Sequence, residues 1–99
     1  MQHFRIATYD VTKGTSQEVA DKARAGMLPI FQRQPGYEAY SLIEVDSKTI
    51  VSLSVWESHE EAEAAVKSAA DWVADNLADR IKLTANTVGD AMFWDGAAS

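Results

Sequence analysis

The chain has 99 residues, 46% of them apolar and 24% charged, and a net charge of -6 at pH 7. That length suits one domain spanning 1–99 around one core, and the acidic balance argues against a nucleic-acid partner, because a sequence-independent grip on phosphates needs Lys and Arg gathered on one face. The lack of cysteine excludes disulfides, thiolate nucleophiles and cysteine-held metal centres; with neither a secretory leader nor an apolar run at the start, no membrane partner is expected and the cytoplasm is the expected location.

From Gln2 to Val11 the residues alternate, Phe4 and Ile6 on one face and His3, Arg5, Ala7 and Tyr9 on the other, the period-2 pattern of a half-buried strand. Thr12-Lys13-Gly14 reads as a turn. Thr15-Ser16-Gln17-Glu18 reads as a capping box, in which hydroxyl and carboxylate each satisfy an orphan backbone N–H. A helix follows, with Val19, Ala23, Met27 and Ile30 or Phe31 in one apolar stripe and Lys22 and Arg24 facing water. Pro29 falls inside that pattern; having no N–H, it is expected to kink the helix or end its regular part near Leu28.

Pro35-Gly36 closes this segment. Tyr37 to Val45 and Thr49 to Trp56, rich in β-branched and aromatic residues, flank the polar break Asp46-Ser47-Lys48 and read as a hairpin. With an even-numbered connection, Leu42 faces Leu53 and Tyr40 faces Val55, while Ser41, Ser52, Ser54 and Trp56 take the opposite face; an odd-numbered loop alters that pairing. Ser58-His59-Glu60-Glu61 is a second capping box. It opens a helix with the stripe Ala62, Val66, Ala69, Val73 and Leu77, leaving Glu60, Glu63, Lys67 and Asp71 wet. Asn76 to Ile81 finishes that helix. Thr84 to Trp94 alternates as a fourth strand in which Gly89 suggests a bulge or a close contact, and Asp95 to Ser99 is a loose tail.

The order β-α-β-β-α-β is that of an α+β ferredoxin-like domain, a four-stranded antiparallel sheet with helices on one face. The uncovered face is expected to carry Tyr9, Ile43, Ile50, Trp56 and Phe93 or their immediate neighbours, more apolar area than a monomer leaves in water. A homodimer through that open face is the expected solution.

Met27-Leu28-Pro29 followed by Pro35-Gly36-Tyr37, and Val51-Ser52-Leu53-Ser54-Val55-Trp56-Glu57-Ser58 running into the second helix, carry a family likeness. Through them the chain resembles the antibiotic biosynthesis monooxygenase-like family of dimeric α/β barrels, which also contains cofactor-free quinone-forming oxygenases and haem-degrading enzymes. The resemblance implies a pocket between sheet and helices that holds a polycyclic phenol, a small quinol or a haem. For haem it implies a histidine and a tryptophan on the second helix and an asparagine on strand one. Trp72 answers to the tryptophan, but no histidine follows it and strand one offers Thr8, so the iron has no ligand.

The cofactor-free reading asks for less. A phenolate or enolate passes an electron to dioxygen itself, so the protein supplies a base, donors for the developing oxyanion and a dry cavity, and no bound cofactor is expected. His3 is the candidate base, since imidazole is the side chain suited to taking up a proton at neutral pH. Arg5, Tyr9, Asn86, Ser52 and Ser54 are candidate donors, and Trp56, Trp72 and Trp94 are candidates to stack on an aromatic ligand. The resemblance also implies that Trp94 crosses into the partner subunit. Each has a plainer reading: His3 as a solvated or packing residue, Trp56 as the closing residue of strand three, Trp72 as a shoulder covering a loop, and His59 as an exposed imidazole. His59 and Glu63 share a helical face but have no third ligand, so no metal is expected. The favoured function is a monooxygenase acting on a small aromatic or quinol compound. The alternatives are a non-catalytic dimeric barrel binding a small hydrophobic ligand or a protein partner, and a structural dimer with a filled interior. An open cavity with an ionisable side chain inside separates them.

Overall fold

The computed structural model describes residues 2–96. Its elements in chain order are β1 (His3–Val11), α1 (Ser16–Arg33), β2 (Tyr37–Asp46), β3 (Thr49–Trp56), α2 (His59–Asn76) and β4 (Ile81–Asp90). The strands pair antiparallel in the order β2-β3-β1-β4, and both helices pack on one face, the ferredoxin-like arrangement that the element order implied. Met1 and residues 97–99, the end of the expected tail, lie outside the described residues. No helix among the described residues is long and apolar enough to cross a membrane.

Local chemistry sets the helix starts. The Thr15 hydroxyl accepts the Glu18 N–H at 3.2 Å and the Glu18 carboxylate accepts the Thr15 N–H at 3.0 Å, which with the Thr15 hydroxyl holds the Glu18 carboxyl below its ordinary pKa. At α2 the Ser58 hydroxyl accepts the Glu61 N–H at 3.1 Å, and Glu61 returns its carboxylate to that hydroxyl at 2.9 Å instead of to the backbone. Helix α1 runs through Pro29 to Arg33, so of the two expectations for that proline the end near Leu28 is corrected. Proline in a helix interior costs about 3 kcal/mol. Met27 and Phe31, buried on either side of it, each return roughly 1.5–3 kcal/mol and hold the turn together.

The hairpin register differs from the expected one. Asp46 pairs with Thr49 across a Ser47-Lys48 turn, but the register shifts between Glu44 and Asp46, leaving Val45 as an extra residue. Leu42 therefore faces Ser52 and Tyr40 faces Ser54, while Leu53 faces Ser41. Because strands repeat every second residue, that slip moves Tyr40 and Leu42 to the same side as Ser52, Ser54 and Trp56. This side is the covered one. Arg5, Ala7, Tyr9 and Val11 of β1 are buried beneath the helices, and the pairings Tyr9 with Ile50 and His3 with Trp56 carry Ile50 and Trp56 under with them. The expected placement of Tyr9, Ile50 and Trp56 on the open face is thus reversed; the exposed apolar residues there are Ile6 (39%), Ile43 (43%) and Val45 (60%).

Strand β4 begins at Ile81, not at Thr84, because Leu77 caps α2 and the chain pairs Ile81 with Val11 directly after the turn. It ends at Asp90. Phe93 and Trp94 lie beyond it, and the Trp94 ring returns to its own chain's Phe4 at a centroid distance of 5.4 Å. The β4 bulge sits opposite Thr8 and Tyr9, where the Thr84 hydroxyl donates to the Thr8 carbonyl at 3.1 Å. Gly89 pairs regularly with Phe4 and a side chain there would meet open space, so it marks neither a bulge nor a close contact.

Candidate active site

Strand alternation puts Arg5 and Tyr9 on the covered side of β1, and the β1–β4 register places Asn86 opposite Ala7, between them. Arg5, only 2% exposed, donates Nε–H to Asn86 Oδ1 at 3.1 Å and Nη2–H to the Tyr9 hydroxyl at 2.9 Å. Among the described residues no carboxylate lies within 4.0 Å of this guanidinium and no acceptor faces Nη1. A buried cation whose neighbours are all neutral is costly unless a negative group joins it.

Tyr40 and Ser52, from β2 and β3, approach the same centre. Burial pushes the Tyr40 phenol up to about 12, with the Ser52 hydroxyl pulling it partly back, so Tyr40 stays a neutral hydroxyl donor. Sequence reasoning missed Tyr40 as a site residue, because an uninterrupted hairpin turns it away from Arg5.

Two spaces flank Arg5 and Tyr9. One is a groove of about 260 Å³ between α2 and β4, walled by Val66, Ala70, Val73, Ala74, Ala78 and Leu83, with Asn86 at its polar edge. The small side chains along α2 leave this room. The other is an inner cavity of about 20 Å³ bounded by Arg5, Tyr9, Tyr40, Ser52 and Trp72, enough for about one water. Among the described residues, neither imidazole nor carboxylate lines either space.

Of the other sequence candidates, Trp72 borders the inner cavity and the rest fall elsewhere. His3 sits at the end of the sheet with Nδ1 2.5 Å from Asp90 Oδ1 and lines neither space. Trp56 is fully buried, edge-to-face with Phe31 at 5.3 Å, and its Nε1–H donates to Ser54 Oγ at 2.9 Å, so both serve the core. Trp72 borders the inner cavity and packs against Gly26, where a Cβ would come within 2.6 Å of Cζ2. His59 approaches Asp90 and Glu63; the Asp90 carboxylate raises the His59 pKa, while His3 and then His59 lower that of Asp90. Among the described residues His3, His59 and Asp90 form the group able to hold a metal.

The arrangement around Arg5 offers a fixed positive charge with a free N–H, neutral hydroxyls and a mostly apolar enclosure, the components that stabilise an oxyanion away from water.

A family model described as antibiotic biosynthesis monooxygenase matches residues 3–71. Among solved structures, SnoaB from Streptomyces nogalater, described as a cofactor-independent oxygenase, is 17% identical, with 94% of this chain and 95% of that chain covered and a TM-score of 0.73. A putative antibiotic biosynthesis monooxygenase from Chloroflexus aurantiacus J-10-fl is 21% identical, covering 97% and 98%, with a TM-score of 0.67. Rv0793 from Mycobacterium tuberculosis is 14% identical, covering 97% and 100%, with a TM-score of 0.66. At these identities the likeness establishes the fold. No curated protein matches the sequence significantly.

Proposed function

The chain belongs to the antibiotic biosynthesis monooxygenase family, and we propose that it is a cofactor-independent monooxygenase acting on a small phenol or quinol bound in the groove beside Arg5. The observation that carries this reading is the buried Arg5 guanidinium without a counter-ion. A phenolate oxygen supplies the missing charge, and the same contact lowers the substrate's pKa. The groove volume of about 260 Å³ lies near the lower end of small-molecule sites, roughly 300 Å³, which favours a compact aromatic compound.

In this reading Arg5 holds the phenolate oxygen, Tyr9 and Asn86 hold Arg5, and the α2 wall excludes water. With no imidazole or carboxylate in the groove, the phenol proton leaves to water at the mouth. The phenolate gives one electron to dioxygen, the two radicals join at a ring carbon, and loss of that carbon's proton with cleavage of the O–O bond leaves a carbonyl. One oxygen atom enters the quinone and the other leaves as water, so phenol plus dioxygen gives quinone plus water.

The test is oxygen consumption with a panel of hydroquinones and naphthols, comparing the wild type with Arg5→Met. Turnover by the wild type that the variant loses supports the reading. A wild type that binds phenols through Arg5 but consumes no oxygen favours the alternative, a non-catalytic barrel binding a small hydrophobic ligand, which the lack of a base in the groove supports. The open sheet face, with Ile6, Ile43 and Val45 exposed, suits a second copy of the chain. Light scattering on the purified protein gives twice the chain mass if that assignment holds. The cysteine-free composition suits a reducing cytoplasm.

A further inference from the structure

Away from Arg5, the antiparallel pairing of β1 with β4 places His3 beside Asp90, and the first turn of α2 brings His59 over both. His3 Nδ1 is 2.5 Å and His59 Nδ1 3.3 Å from the same Asp90 Oδ1, and the donor atoms of the three residues all lie within 4.8 Å of one another. On its far side the His59 ring places Nε2 3.2 Å from Glu63 Oε1.

Hydrogen bonding alone satisfies this cluster only when His59 carries N–H on both ring nitrogens. A neutral imidazole has one N–H and one lone pair. With a neutral His59 whose Nε2–H Glu63 accepts, the Nδ1 lone pair confronts an Asp90 oxygen that is also an acceptor; an imidazolium instead donates to both. A cation between His59 and Asp90 takes the place of that second proton and also engages His3. In a tetrahedral site with metal–donor bonds of about 2.0–2.2 Å, neighbouring donors stand about 3.3–3.6 Å apart; His59 Nδ1 already stands 3.3 Å from Asp90 Oδ1, and His3 Nδ1, at 2.5 Å from that oxygen, moves outward to share an ion. Two imidazoles and one carboxylate are a borderline donor set that suits the zinc class, in contrast to the all-oxygen sets of calcium and magnesium. The positive end of α2 alone would oppose a cation, but Glu60, Glu61 and Glu63 in that part of the helix offset it. His59 and Asp90 are exposed, which leaves a path for entry and a position for water.

We propose that His3, His59 and Asp90 bind a zinc-class divalent cation, with Glu63 orienting His59 and water completing the tetrahedron. The ion ties the start of β1 and the end of β4 to the first turn of α2. Sequence spacing showed only His59 and Glu63; the fold adds the ligands from both strands.

The experiment uses tag-free protein stripped with a chelator and titrated with zinc by calorimetry and with cobalt by visible absorption. One ion per chain, the intense cobalt bands of a four-coordinate site and a zinc-dependent rise in melting temperature are expected. Glu63→Gln keeps all three ligands and lowers affinity roughly 10-fold or more, within the range for loss of an outer partner. His59→Gln and Asp90→Asn lower it further. Absence of binding by the wild type, or variants that all bind like the wild type, overturns the proposal. If either ligand variant fails to fold, the exposed-face Glu63→Gln variant decides: unchanged affinity there also overturns it.

Discussion

The interior has two halves built on different terms. Where α1 and α2 meet over β2 and β3, the aromatic rings of Phe31, Tyr37, Tyr40 and Trp56 meet edge to face at 5.0–5.7 Å, and the buried Trp56 N–H has Ser54 as its acceptor. Between α2 and β4, small side chains leave a groove, and the largest polar group, Arg5, is buried without a counter-ion. The first half resembles an interior optimised for packing. The second keeps space and unbalanced charge, which only an occupant makes favourable.

Truncations distinguish these halves by sign. Trp56→Ala removes the central ring of the filled half and leaves the Ser54 hydroxyl without its donor, so an equilibrium denaturant experiment should show a loss of about 3–5 kcal/mol. Arg5→Met keeps the side-chain length and removes the charge; stability should rise, by about 1–4 kcal/mol, while binding of phenols is lost. A fall in melting temperature for Arg5→Met would mean that its bonds to Tyr9 and Asn86 outweigh its desolvation.

The boundary between the halves explains how far sequence reasoning reached. Element order was legible because caps and periodicity are local: Thr15 with Glu18, Ser58 with Glu61, and the β1 alternation that keeps Arg5 and Tyr9 together. Register was not, because the extra residue at Val45 has no sequence signature, and it alone turns Tyr40 and Leu42 toward the helices. The apolar Phe93 and Trp94 drew the fourth strand too far along the chain, when the pairing partner that starts it is Ile81. Asn86 was legible as a donor but not as the partner of Arg5, and Asp90 was invisible beside His3, since both contacts arise only from the β1–β4 pairing.

Tyr40 supplies a test on that boundary by pH. Its phenol is raised from the ordinary 10.0 to about 12, so between those values the unfolded chain has released a proton that the folded chain retains. Folding then binds the extra proton, and stability falls as pH rises, by roughly 2–3 kcal/mol across the interval. Urea midpoints at about pH 9 and about pH 11 measure the slope, and Tyr40→Phe should flatten it. A slope that persists in the variant assigns the effect to Tyr37, whose phenol burial also raises.

The smallest expected change in stability lies where α1 meets Trp72. Gly26 is inside a helix, where alanine is favoured by about 1 kcal/mol, yet a Cβ there would stand 2.6 Å from Trp72 Cζ2 and 2.8 Å from Nε1. The indole has somewhere to go, because an outer groove of about 260 Å³ opens beside it, bordered by Lys22, Ala25 and Asn76. In Gly26→Ala the ring should swing outward, losing burial that offsets the helix gain, so the net change stays below about 1 kcal/mol. Movement of the ring from the inner cavity should appear as a red shift in tryptophan emission, absent when Trp72→Phe is added. If Gly26→Ala instead gains the full propensity term with unchanged emission, the indole adjusts in place and Trp72 is a fixed wall of the cavity, as rigid as the aromatic half.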